Sequence, residues 1–91
     1  MEFGAHLPLM DFGGHPYTLQ HLVDYTKTAA RLGLTVLSAN DHLVFEVPWL
    51  DGPTALAATM EHSAGMTLAS TVALAVLRGP VPVAMALGAI D

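Results

Sequence analysis

Three consecutive polar side chains, Asn40, Asp41 and His42, interrupt a chain that is otherwise poor in groups able to do chemistry. They follow the apolar run Leu34 to Ala39, and Pro48 and Trp49 stand behind them. An imidazole has an unperturbed pKa of about 6.5 and can take or return a proton near neutrality. Asn40, Asp41 and His42 are therefore the best chemical candidates in the chain, with Asp41 and His42 as the candidate catalytic pair. The same residues also suit an ordinary polar strand end in which Asp41 caps the next turn. His6, His15 and Asp11 lack the spacing of a metal site, and no metal is expected. There is no cysteine, which removes thiolate chemistry and any disulfide framework.

Placing these residues is the work of alternating strands and helices. Phe3 to Met10 reads as a first strand, and the glycines and proline of Asp11-Phe12-Gly13-Gly14-His15-Pro16 read as a turn. Thr18 is a candidate N-cap for a helix whose apolar face is Leu19, Leu22, Val23, Thr26, Ala29 and Ala30, with Gly33 closing it. A buried strand follows at about Thr35 to Ala39, and the absence of polar alternation predicts cover on both faces. The long segment Leu43 to Asp51 holds Phe45, Pro48 and Trp49, which could plug a core or line a pocket. Asp51-Gly52-Pro53 starts a second helix, Pro53 to Ala64, ended by Gly65. Met66 to Leu77 reads as a third strand, Arg78-Gly79-Pro80 as a turn, and Pro82 to Ile90 as a last helix. Met60, Met66 and Met85 read as core fillers, and His21 and His62 as exposed helix positions.

The order β-α-β-α-β-α calls for parallel strands, with the polar residues after the second strand at the end where such folds bind ligands. Composition narrows the partners. Formal charge is −5 with only Lys27, Arg31 and Arg78 as basic residues, which excludes a surface built to follow nucleic acid. With 53% apolar and 12% charged residues the chain is not disordered. Arg78, Gly79, Pro80 and Pro82 divide the apolar stretch Met66 to Ile90 into pieces shorter than the roughly 20 residues of a membrane helix. Met-Glu-Phe-Gly-Ala-His is not a signal peptide start, and a cytoplasmic location is expected.

An ordered set of segments runs through the chain: Phe3-Gly4-Ala5-His6-Leu7-Pro8, Leu32-Gly33-Leu34-Thr35, Asn40-Asp41-His42 with Pro48-Trp49, Pro53-Thr54, Thr67-Leu68-Ala69-Ser70-Thr71-Val72 and Arg78-Gly79-Pro80. This set resembles the N-terminal part of the bacterial luciferase-like flavin-dependent oxidoreductases. The resemblance implies a (β/α)8 TIM barrel of which residues 1–91 are the first three β/α units, an N-terminal fragment. It implies reduced FMN or the deazaflavin coenzyme F-420 as cofactor, and monooxygenation or hydride transfer on a small organic substrate.

By the same resemblance His42 faces the reacting centre with Asp41 beside it, and His6, Asn40, Thr71 and Val72 border the cofactor. A strained non-proline cis peptide or a bulge is implied near Thr71-Val72, backing the ring, while Trp49 and Phe45 line the substrate pocket. The family continues beyond the position of Asp91 into a glycine-rich turn and a fourth strand, and often has lysine where Met85 stands. The cofactor site within this stretch is therefore expected to be incomplete. The alternative expectation is a non-catalytic α/β chain that self-associates, or binds a partner, through bare strand edges.

Overall fold

The computed structural model describes residues 1–14 and 18–91. The turn residues His15 and Pro16 lie outside the described residues. Helix α1, Leu19–Arg31, begins where the Thr18 hydroxyl accepts the N–H of His21 at 3.2 Å. It ends where Gly33 takes φ +80°, a conformation that costs an L-residue about 1–2 kcal/mol. Gly33 and Leu34 then donate to the carbonyls of Ala30 and Ala29, satisfying two of the helix's last acceptors. Of the expected apolar stripe, Leu22, Val23, Thr26 and Ala29 are buried and Ala30 is half-buried, whereas Leu19 in the first turn is exposed.

Three parallel strands form one sheet in the order β1-β2-β3: β1 Gly4–His6, β2 Val36–Asn40 and β3 Thr67–Val72. The first strand is shorter than Phe3 to Met10. Leu7 still donates to the Ser38 carbonyl at 2.8 Å, but Pro8 has no N–H to continue the ladder, and Met10 instead meets Trp49 in an isolated antiparallel bridge. The second strand starts one residue later than expected and includes Asn40, so the polar triplet begins inside the sheet.

The third strand stops at Val72, well before Leu77. Thr71 is an extra residue there, because Ala39 pairs with Ser70 while Asn40 pairs with Val72. Beyond this bulge Ala75–Arg78 winds into one helical turn, α3, instead of extending. Peptide bonds among the described residues are all trans, so the irregularity at Thr71-Val72 is a bulge.

Helix α2, Gly52–Thr59, is capped by Asp51 and has proline in its first turn. It passes into a single 3-10 turn, Met60–His62, and does not run unbroken to Ala64. The Thr59 hydroxyl bonds back to the Ala55 and Leu56 carbonyls, competing with the backbone where the helix tightens. Helix α4 runs Pro80–Ile90, starting at Pro80 and not Pro82, because Gly79 at φ +83° reverses the chain and Pro80 then fits the first helical position.

Leu37 and Ala39 of β2 point to one face and pack with Leu7, Leu9, Leu22, Ala29, Ala55, Leu56 and Met66. Helices α1 and α2 lie on that face, and α4 leans on α2 with Ile90 against the same core. Alternation puts Gly4, His6, Val36, Ser38, Asn40, Thr67 and Ala69 on the other face, which no described helix covers. The expectation that β2 is covered on both sides therefore holds for one side only. No helix among the described residues is long and apolar enough to cross a membrane.

Gly52 is the tightest point between layers. A Cβ there would stand 2.4 Å from the backbone oxygen of Asn40. Gly52→Ala is expected to lower unfolding free energy by about 1–3 kcal/mol through overpacking. Gly88→Ala, which meets nothing within 4 Å on an exposed helix, should raise it by up to about 1 kcal/mol. Urea denaturation midpoints of the two variants check the contrast.

Candidate functional site

The carboxyl end of β2 is held by an ion cluster. Asp41 is 1% exposed, and Arg78 of α3 grips it in two places, Nε to Oδ2 at 2.5 Å and Nη2 to Oδ1 at 2.5 Å. The Leu74 backbone N–H donates to Oδ2 at 3.2 Å. Nη2 of Arg78 also donates to Asp51 Oδ1. Asp51 in turn accepts the Thr54 N–H at 3.0 Å and its hydroxyl at 2.5 Å, which caps α2. One guanidinium thus ties the end of β2, the start of α2 and the segment after β3.

The charges respond accordingly. Hydrogen bonding from Arg78 holds the Asp41 carboxyl below its ordinary value against the opposing effect of burial, and the Leu74 N–H adds to this. Burial pushes Asp51 up, but Thr54 and Arg78 together outweigh it and bring it below the usual value. The Arg78 guanidinium is held in its charged form chiefly by its hydrogen bonds to Asp41. In this geometry Asp41 is an anchor: both carboxylate oxygens are engaged, and neither faces the open side of the sheet as a proton carrier.

His42 takes a different direction from its neighbour. Its ring meets Trp49 edge-on at a centroid distance of 4.4 Å and Phe45 at 4.9 Å, and those two rings meet at 5.0 Å. Its Nε2 lies 3.4 Å from the Asn40 amide nitrogen, which can only donate, so Nε2 accepts. Trp49 is fixed by its bridge to Met10, and Leu50 donates to the Leu9 carbonyl at 2.7 Å. Residues 42–49 curve around a depression of about 410 Å³. Two buried polar atoms here, Asn40 Oδ1 and Trp49 Nε1, have no partner among the described residues. A buried group without a hydrogen bond costs about 1–3 kcal/mol, which makes both atoms natural contacts for a bound molecule.

The sequence-derived candidates divide into two groups. Asn40, His42, Phe45 and Trp49 come together at the end of β2, and Thr71-Val72 forms the bulge opposite Asn40. His6 is apart from them, on β1 beside Ser38, exposed on the uncovered face. No protein-family model, curated protein or solved structure matches the chain. The reading of this site therefore rests on its own geometry.

Sequence reasoning missed the partnership of Arg78 with Asp41 and Asp51. The signal was present, since a lone cation in the apolar stretch Met66 to Ile90 needs a counter-ion if it is buried. Removing it should leave the Asp41 charge uncompensated. Arg78→Ala is expected to cost about 3–5 kcal/mol at neutral pH, measured by chemical denaturation. The stabilisation from the depressed carboxyls is present above the unfolded-state value of about 3.9 and lost as pH falls through the lower native values. Unaltered protein should thus lose stability as pH falls below about 4, and Arg78→Ala should lose less over the same range.

Proposed function

We propose that the uncovered face at the carboxyl ends of β1, β2 and β3 is the coenzyme side of a flavin- or deazaflavin-dependent oxidoreductase of the luciferase-like type. In this reading the three units are consecutive staves of a (β/α)8 barrel. Sequential strand order with the helices on one face supports it, because successive right-handed β/α units of a barrel place their helices on the same side. The observation that carries the reading is the unpartnered Asn40 Oδ1, opposite the Thr71 bulge.

The residues fit the planar part of such a coenzyme. A tricyclic ring with an amide-like edge needs an acceptor for its N–H, which Asn40 Oδ1 would provide, and a bulge offers backbone groups outside the sheet ladder. Thr71 and Val72 would support the ring, and His42, Phe45 and Trp49 would wall the side on which a small organic substrate lies. Asp41 would position this wall through Arg78. Bound there, the coenzyme would supply hydride transfer or activation of dioxygen.

The phosphate is another matter. Arg78 is committed to two carboxylates, and Lys27 and Arg31 belong to the C-terminal half of α1, which returns to the amino ends of the strands. Lys27 and Arg31 would not reach a coenzyme phosphate at the carboxyl end of the sheet, and Arg78, which is at that end, is already paired.

A second reading is favoured by helix α4. None of its residues is fully buried, and Val81 and Met85 are 66% and 71% exposed. Together with the unpaired outer sides of β1 and β3, this suits a non-catalytic chain that associates with a second copy.

Titration of flavin fluorescence with the 91-residue chain separates the two. Lumiflavin, which is the ring without a phosphate, should bind within about 3-fold of FMN, and Asn40→Ala should weaken both by about 5- to 10-fold, the effect of one hydrogen bond. Absence of saturable binding, or equal binding by Asn40→Ala, overturns the coenzyme reading. A concentration-dependent dimer in sedimentation equilibrium without ring binding supports the second.

A further inference from the structure

We infer that the proton acceptor on the uncovered sheet face is Nε2 of His6 and not His42, an assignment that rests on that face being the coenzyme side. His6 lies in register with Ser38, and its side chain is exposed on the face without helices. Its Nδ1 stands 2.9 Å from the carbonyl oxygen of Leu7. A carbonyl only accepts, so Nδ1 carries the proton and the lone pair is on Nε2. Leu7 is 1% exposed and its own N–H donates to the Ser38 carbonyl at 2.8 Å. The group that fixes the tautomer is therefore anchored in the core, while Nε2 has no partner among the described residues.

His42 offers the opposite arrangement. Its Nε2 already accepts from the Asn40 amide, and Phe45 and Trp49 pack against the ring. It can form a wall, but its acceptor nitrogen is occupied. At His6 an O–H or N–H group of a bound molecule can pass its proton to Nε2. The bond to that proton breaks, its electron pair stays on the donor atom, and the ring becomes an imidazolium. The new cation keeps its Nδ1–H on the Leu7 carbonyl, now as a charge-assisted hydrogen bond.

Two measurements on the unaltered chain test this. Long-range proton–nitrogen NMR should show His6 as the Nδ1–H tautomer, its signals identified by their loss in His6→Gln. Diethyl pyrocarbonate, which acylates an unprotonated imidazole nitrogen, should modify His6 about 10-fold faster than His42, a difference of about 1.4 kcal/mol in activation free energy. Mass spectrometry locates the modified residue without any variant, and lumiflavin should slow modification of His6. An Nε2–H tautomer, or faster modification of His42, overturns the assignment. Lumiflavin that binds without protecting His6 also overturns it while leaving the coenzyme reading intact. Failure of lumiflavin to bind overturns the coenzyme reading, and the role of His6 with it.

Discussion

The grip of Arg78 on Asp41 is the interaction that the rest of this site depends on. Burying a carboxylate and a guanidinium costs several kcal/mol per ion, and the cost is offset only if geometry and hydrogen bonding are good. Here the pairing is two-pronged, the Leu74 N–H completes the shell, and Asp51 accepts a further hydrogen bond from the guanidinium. The four groups come from the residue after β2, the segment after β3, α3 and the N-cap of α2, so a single side chain ties these segments together. It also explains why strand character ends at Val72: the chain must turn so that Leu74 and Arg78 can both reach Asp41.

This anchoring leaves the neighbouring residues free for other work. Asp41 turns into the protein, so Asn40 and His42 on either side are directed elsewhere, Asn40 to the uncovered face and His42 onto the rings of Phe45 and Trp49. The close approach of Gly52 to the Asn40 carbonyl serves the same end, since any side chain there would push α2 away from β2 and lengthen the Arg78 to Asp51 contact. The polar groups of the uncovered face are then presented by the end of the central strand beside a capped helix, which is the kind of support that a binding site needs.

Much of this was readable in the sequence, for reasons that are local. Thr18 and Gly33 bound α1 because capping chemistry acts over a few residues, and the polar triplet after an apolar run marked the end of β2 in the same way. The bulge at Thr71 was anticipated through resemblance, with the alternative of a cis peptide set aside by the backbone. What stayed hidden were the long-range terms. Residues 73–78 continue the apolar run of β3, and the carboxylate that Leu74 and Arg78 reach lies more than thirty positions earlier. The division of labour between Asp41 and its neighbours was likewise invisible, since adjacent residues in a sequence say nothing about which one turns inward.

A double-mutant cycle on Asp41→Ala and Arg78→Ala, read by urea unfolding at neutral pH, isolates the energy of this grip. A buried, hydrogen-bonded pair should show a coupling energy of about 2 kcal/mol or more. A coupling below about 0.5 kcal/mol, typical of an exposed surface pair, would contradict such a grip.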